Sequence, residues 1–261
     1  MSTIPQRSKT PRGTAYWEVG QGETLVLIHG VGLRLEAWGP QIDHFRHSHR
    51  VIAVDMPGHG ETPRLARGSR LQQFVAWLGA FLDEMRIERV NLCGHSMGAL
   101  IAGGSAVTFG DRIARVALVN GVFRRNPQAH AAVVARAREI EQGNVDLASP
   151  LSRWFERREL EGAPYQSTRG WLSQVDVDGY ATAYAAFAEG DATYADAWPR
   201  IACPSLFLTG GNDPNSTPEM SRAMAASARA GRAVVIDGHR HMVNLTAPDL
   251  VNHALAKWLQ Q

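Results

Sequence analysis

Short, continuous apolar runs alternate with helix-like segments along most of this chain, and this rhythm limits the folds it can adopt. Continuous apolar runs cover residues 25–28 and 51–54, and strand-like segments follow at residues 89–93, 116–119, 205–208 and 233–236. Apolar runs of this length, bounded by turn residues, are typical of strands that are buried on both faces of a parallel sheet. Residues 71–85 place apolar side chains at the spacing of one helix face. The pattern predicts an α/β fold, with a mostly parallel sheet and helices on both of its faces.

The alternation stops between residues 122 and 198. This stretch has no strand signal, contains four of the five tyrosines, and consists of helix-like segments joined by Gly and Pro turns. We therefore predict that residues 1–121 and 199–261 form the α/β core, and that residues 122–198 form a helical insertion lying over the sheet.

Composition and charge narrow the classes of partner. The formal net charge is +2, which gives no reason to expect nucleic acid or an anionic membrane surface as a partner. Residues 1–12 are polar and basic, and no run approaches the ~18 apolar residues that span a bilayer. We therefore expect no secretory signal peptide, a cytoplasmic location and a small-molecule partner. The sequence leaves the formation of a homo-oligomer open.

The turn after the third predicted strand carries the motif Gly94-His95-Ser96-Met97-Gly98. A serine in a sharp turn between a strand and a helix adopts a strained backbone, which exposes its hydroxyl at the carboxyl end of the strand. The helix N-terminus beside it favours a developing negative charge. The motif predicts a nucleophilic serine, and the alternative is a serine that only shapes the turn.

A serine nucleophile needs a base to take its proton and a carboxylate to orient that base. His239 and His241 both lie in the loop after the last predicted strand, and the loop pattern does not choose between them. Asp213 follows the fifth predicted strand, whereas Asn120 follows the fourth, where an amide cannot serve as the acid. Asp55 is the rival carboxylate, although its Pro and Gly neighbours favour a role in a turn.

Acyl transfer also requires donors for the oxyanion, and backbone N–H groups serve this purpose. The N–H of Met97 directly follows the serine. A second donor is expected from the loop His29-Gly30-Val31-Gly32, most plausibly the N–H of Val31.

Five segments of the chain, in order, resemble hallmarks of the α/β-hydrolase superfamily: residues 29–32, 55–60, 94–98, 210–213 and 241–248. The resemblance implies Ser96 as nucleophile, Asp213 as acid and His241 as base. The distance from His241 to Pro248 matches the usual spacing in the family. One departure is Arg240, which stands where such proteins usually carry glycine.

Within the superfamily the chain looks most like small bacterial esterases, enol-lactonases and cofactor-free haloperoxidases. The resemblance implies no cofactor, no metal and a helical cap at residues 122–198. It implies hydrolysis of a carboxylic ester or lactone through an acyl-enzyme on Ser96. The alternatives are a carbon–carbon bond hydrolase of aromatic degradation, peroxide-dependent chemistry on the same triad, and a silent member of the fold that only binds a ligand.

The predicted insertion offers candidates for the substrate pocket. Trp154, Trp171 and Tyr184 fit an apolar or aromatic group, although aromatics at helical spacing are also typical of an insertion's own core. Arg124 and Arg125 begin the insertion and suit an anionic substrate, or a solvated surface.

Overall fold

The computed structural model describes residues 7–146 and 148–261, and in these ranges eight strands form one sheet. The strands are β1 (Ser8–Lys9), β2 (Ala15–Val19), β3 (Thr24–Ile28), β4 (Arg50–Val54), β5 (Val90–His95), β6 (Ile113–Val119), β7 (Ser205–Gly210) and β8 (Gly231–Ile236). Their order is β1-β2-β4-β3-β5-β6-β7-β8, and the six strands from β4 to β8 run parallel. This confirms the predicted fold class and all six predicted strands.

Helices connect the strands. They are α1 (Gly39–Phe45), α2 (Leu71–Glu84), α3 (Met97–Phe109), α4 (Pro127–Glu141), α5 (Ala148–Trp154), α6 (Ala163–Leu172), α7 (Val177–Gly190), α8 (Pro218–Ser227), α9 (Val243–Thr246) and α10 (Pro248–Leu259). Short 3-10 helices lie at Leu35–Trp38, Gly110–Arg112, Arg157–Glu159 and Ala195–Arg200. Because the parallel strands end at one edge of the sheet, the loops after β3, β5, β6, β7 and β8 gather there.

The two antiparallel strands at the N-terminal edge were not predicted. β1 is only two residues long and exposed. β2 pairs with β4, and most of its side chains are partly exposed, with Glu18 exposed. Neither strand has the continuous apolar run that a central strand needs, so hydrophobic pattern alone did not reveal them.

The hydrophobic core has two parts, one on each face of the sheet. In β3, Val26 and Ile28 belong to the cluster that includes residues of α2 and α3. Leu25 and Leu27 belong to the cluster that includes residues of α1 and α10. Since successive side chains of a strand point to opposite faces, a strand covered on both faces must be apolar throughout.

Between β6 and β7, the described residues of the predicted insertion contain helices and no strand. α4 packs on α7, and the insertion residues Phe155, Leu172 and Tyr180 join the core cluster on the α3 face. Leu147 of this stretch lies outside the described residues, as do residues 1–6 of the polar N-terminal stretch. None of the helices in the described ranges is long and apolar enough to cross a membrane.

Candidate active site

Ser96 lies in the turn between β5 and α3, with φ +56° and ψ −113°. A Cβ on Gly94 would lie 2.0 Å from the carbonyl oxygen of Gly98, and one on Gly98 would lie 2.1 Å from that of Ile28. Only glycine fits at either position, and this explains the spacing of the motif. The N–H of Ser96 donates to the carbonyl oxygen of Val119 at 2.9 Å, which ties the strained turn to β6.

His241 and Asp213 form a buried pair in the loops after β8 and β7. Nδ1 of His241 lies 2.7 Å from Oδ2 of Asp213, and their side chains are 3% and 0% exposed. Asn120 Nδ2 donates to the same oxygen at 2.7 Å, and the N–H of Asn215 donates to Oδ1 at 2.9 Å. Burial alone raises the pKa of Asp213, but the charge of His241 and these hydrogen bonds lower it below its usual value.

Two aromatic rings fix the position of His241. His95 Nε2 lies 2.8 Å from the carbonyl oxygen of His241, and the Trp154 ring stacks on the imidazole with 5.6 Å between centroids. Burial, together with the charge of His241, lowers the pKa of His95 to about 3. A neutral His95 therefore donates its Nε2 proton to the backbone beneath the candidate base.

The predicted oxyanion donors lie beside the serine. Val31 lines the same cavity as Ser96, and Met97 is the first residue of α3. Among the described residues, neither the Val31 N–H nor the Met97 N–H has a hydrogen-bond acceptor. Neither group is therefore engaged elsewhere, as the predicted role of an oxyanion donor requires.

Two buried histidines hold the loop that carries Val31. His29 Nε2 accepts from the N–H of Met56 at 2.9 Å, and His59 Nε2 accepts from the N–H of Gly32 at 2.9 Å. Burial lowers the pKa of His29 to about 4 and that of His59 to about 3. Both rings are thus neutral acceptors near pH 7, and they fix the loop without adding charge.

Ser96 and His241 open into a cavity of about 580 Å³. The core contributes Val31, Ser96, Pro214, Asn215, Thr217, Met220 and His241 to its wall. The other side, which we call the helical wall, consists of Arg125, Asn126, Ala129, Ala132, Val133, Ala135, Arg136, Glu139, Ser149, Pro150, Arg153, Trp154, Tyr180, Tyr184 and Phe187. The cavity therefore lies between the strand ends and the helices that follow β6.

Two of the four predicted pocket residues, Trp154 and Tyr184, line the cavity. Arg124 and Trp171 are not brought to it. The half-exposed Arg124 forms an ion pair with Asp196, and Trp171 packs against the core cluster of the α3 face. The sequence pattern placed these residues in the right segment, but it does not tell which side of each element faces the cavity.

The neighbours of His241 in its loop face elsewhere. His239 Nδ1 lies 2.9 Å from Thr246 Oγ1 and 3.3 Å from a carboxylate oxygen of Glu159. Arg240 donates to the carbonyl oxygen of Ser152 at 3.0 Å, so the departure from the usual glycine ties the loop to α5. Neither residue lines the cavity.

Asp55, the rival carboxylate, is fully buried in the turn after β4. It accepts hydrogen bonds from the N–H groups of Leu35 at 2.9 Å and Glu61 at 3.0 Å, and it pairs with Arg7 at 2.7 Å. Its oxygens are thus engaged in holding the turn, away from His241.

Several residues at the site are not predicted by the sequence pattern. The amide of Asn120 cannot serve as the acid, but it donates a hydrogen bond to the candidate acid, Asp213. The available signal was its position directly after β6, the neighbour of β7. Arg136 and Arg153 lie in helices without a recognisable motif. Within the described residues, no group of three or more His, Cys, Asp or Glu side chains is arranged to hold a metal ion.

Comparisons with known proteins agree with this architecture. A model of the alpha/beta hydrolase family matches residues 25–254. The chain is 49% identical to (E)-2-((N-methylformamido)methylene)succinate hydrolase of Acinetobacter baylyi, over 95% of each chain. It is 28% identical to 3-oxoadipate enol-lactonase 2 of the same organism, over 92% of this chain and 90% of the relative. The solved structure of the enol-lactonase from Burkholderia xenovorans LB400 is 26% identical, with a TM-score of 0.84 over 98% of this chain and 100% of the other.

Proposed function

This chain belongs to the alpha/beta hydrolase family, and we propose that it is a serine hydrolase that cleaves an acyl bond of a small carboxylated molecule. What supports the proposal most is the contact of 2.7 Å between His241 and Asp213, in loops that share a cavity with Ser96. This arrangement provides a base, the carboxylate that orients it, and a serine at a helix N-terminus.

In the proposed reaction, Ser96 Oγ attacks the carbonyl carbon while His241 Nε2 takes the hydroxyl proton. The carbonyl oxygen becomes an oxyanion that accepts from the N–H groups of Val31 and Met97. His241 then donates the proton to the leaving nitrogen or oxygen, and the acyl group stays on Ser96. Water, deprotonated by His241, releases the acid and restores the serine.

For the substrate, we propose the compound in the name of the 49% identical relative, or a close analogue. Its N-formyl group offers a carbonyl that serine can attack, and its succinate part carries two carboxylates. Attack on the formyl carbon would form a formyl-enzyme and release the enamine nitrogen; water would then yield formate. Atoms and charge balance with one water per formyl group.

Hydrolysis of an ester or lactone is the second candidate. It is favoured by the likeness to enol-lactonases in sequence and structure, and it requires the same groups. The two candidates differ only in whether the leaving atom is nitrogen or oxygen.

The test measures formate release from (E)-2-((N-methylformamido)methylene)succinate by proton NMR, and nitrophenolate release from p-nitrophenyl butyrate. We expect wild type to turn over at least one of them, and Ser96→Ala to lose about a thousandfold or more in kcat. Ser105→Ala, a change of another buried serine on α3, is the matched control. Equal rates in wild type and Ser96→Ala would contradict the proposal.

A further inference from the structure

Positive charge is concentrated in the helical wall. Of the described residues that line the cavity, three are arginines (Arg125, Arg136 and Arg153), and Glu139 is the one carboxylate. Arginine side chains in a cavity wall need partners, because an unpaired buried charge is costly. An arginine that is paired with a carboxylate of the protein has a structural role, whereas one without such a partner is available to bind an anionic ligand.

Arg125 is already neutralised. Its Nη1 lies 3.2 Å from Asp191 Oδ1, and the two side chains are 3% and 4% exposed. Its guanidinium also lies over the Phe187 ring, 4.5 Å from the centroid. This arginine joins the loop before α4 to the end of α7, and it adds no net charge to the cavity.

Arg136 is only loosely paired. Its Nη1 lies 3.6 Å from Glu139 Oε2 and 3.8 Å from Asp146 Oδ2, both beyond hydrogen-bond distance. Its Nη2 donates to the carbonyl oxygen of Asp146, which carries no net charge. The guanidinium therefore keeps donor capacity on the cavity side.

Arg153 has no acidic partner at all in the described ranges. Its Nη1 donates to Ser149 Oγ at 2.6 Å, and no carboxylate oxygen lies within 4 Å. The next residue in α5, Trp154, stacks on His241, and both Arg153 and Trp154 line the cavity. The surplus positive charge of the cavity is thus at Arg153.

Two tyrosines lie between these arginines. Burial raises the pKa of Tyr184, and the positive charges of Arg153 and Arg136 oppose the rise, as they do at Tyr180. All four side chains line the same cavity. The guanidinium groups and the phenol rings therefore share one region of the cavity.

We propose that Arg136 and Arg153 bind a carboxylate of the substrate and select acyl compounds that carry one or more carboxylates. A guanidinium binds a carboxylate through two parallel N–H···O bonds, which fixes orientation as well as position. A substrate held at this wall presents its carbonyl to Ser96 across the cavity. The inference rests on the proposed function and names the substrate class of the same site.

The test compares two esters of the same leaving group, mono-p-nitrophenyl succinate and p-nitrophenyl butyrate. We expect Arg153→Met to lower the ratio of their kcat/KM values, anionic over neutral, by roughly ten- to a hundredfold, because a charged hydrogen bond is lost. Arg136→Met should act in the same direction. The exposed Arg157 and Arg138 do not line the cavity, so their methionine variants are matched controls that should keep the wild-type ratio.

Arg153→Lys retains the charge but loses the paired N–H groups, and it should give an intermediate ratio. It also serves as the second variant where methionine prevents folding, which thermal unfolding would reveal. A ratio in Arg153→Met and Arg153→Lys equal to that of wild type would overturn the proposal.

A binding measurement separates this inference from the proposed function. Calorimetric titration of Ser96→Ala with succinate should show binding that Arg153→Met in the same background weakens at least tenfold. Succinate binding without turnover of any ester or of the N-formyl compound would support the anion site and contradict the hydrolase. Turnover without charge preference and without succinate binding would support the hydrolase and overturn the anion site.

Discussion

The strand ends and the helical wall face one cavity but are built differently. At the strand ends, the described residues give Asp213 three hydrogen bonds, from His241, Asn120 and Asn215, and the side chain is fully buried. In the helical wall, the half-buried Arg153 makes one such bond, to Ser149. The groups proposed for the reaction are thus fixed by the sheet, whereas those proposed for recognition are held by few contacts.

The difference fits the chemistry that we propose for each region. Preorganised groups stabilise a transition state because they do not reorient during the reaction, and parallel strands provide fixed positions for them. Recognition needs donors that stay unpaired until a ligand arrives. Unpaired donors make such a wall less stable in the absence of a ligand, and a bound ligand would supply the missing acceptors.

The largest effect is expected from Asp213→Asn. The amide keeps the shape but loses the charge that stabilises the imidazolium, and it favours the wrong tautomer of His241, so kcat should fall by about ten-thousandfold. The measurement is steady-state kinetics on the better substrate. Asp237→Asn, an exposed change after β8, is the control. Retention of activity by Asp213→Asn would break the claim that the strand ends carry the reaction.

A large effect on stability is expected from acid. His29, His59 and His95 have pKa values lowered by burial to about 4, 3 and 3, against about 6.5 when unfolded. Their contribution is complete above pH 6.5 and is lost as the pH falls towards the folded values, because the unfolded chain then binds more protons. Between these two pKa values, each histidine lowers the free energy of unfolding by roughly 1.4 kcal/mol for each pH unit of acidification.

Urea unfolding at pH 7.5 and 5.5 measures this loss, in a range above the titration of carboxylates. His59→Gln removes one of the three histidines and should therefore reduce the pH dependence of the free energy of unfolding by about a third. The glutamine side chain can still accept the hydrogen bond from the N–H of Gly32. His47→Gln, at an exposed site, should leave it unchanged. Free energies of unfolding that do not differ between the two pH values would contradict the neutral, buried state of these rings.

A smaller effect on rate is expected at Asn120. Glycine accepts the φ of +50° found there, so Asn120→Gly removes the hydrogen bond to Asp213 without backbone strain. We expect kcat to fall about tenfold. Asn91→Ala, a buried asparagine at the opposite end of β5, should lower stability but keep kcat. A similar loss of kcat in both variants would indicate a purely structural role for Asn120.

The smallest effect is expected from salt, which should act on the proposed recognition by the helical wall and not on the reaction at the strand ends. Raising NaCl from about 0.05 to about 0.5 M should increase KM for mono-p-nitrophenyl succinate two- to threefold, because salt screens the partly exposed Arg136 and Arg153. The KM for p-nitrophenyl butyrate, and kcat for both esters, should change little, since the pair of His241 and Asp213 is buried. Equal salt dependence for the two esters would remove the contrast.

The strand ends could be predicted from the sequence because their local structural requirements are strict. Only glycine fits on either side of Ser96, because a Cβ there would lie about 2 Å from a backbone oxygen. A buried parallel strand must be apolar on both faces, because both are covered. Each requirement produces a sequence pattern that can be recognised within a few residues. The edge strand β2 has one partly exposed face and leaves no such mark.

The helical wall could not be predicted to the same depth. Arg136 and Arg153 meet because α4 and α5 border one cavity, and this depends on tertiary packing rather than on spacing along the chain. Arg124 was named because it begins the segment, yet its side chain pairs with Asp196 outside the cavity wall. Asn120 was judged only as an acid, so its role as a donor was overlooked.

The most direct test of the central claim is mass spectrometry of the acyl-enzyme. Wild-type protein is mixed with p-nitrophenyl butyrate, quenched in acid within the first turnover and digested. The account predicts a mass increase of one butyryl group on the peptide that contains Ser96, and none in Ser96→Ala. A butyryl group on a different residue, or turnover by wild type with no covalent adduct in the burst phase, would contradict it.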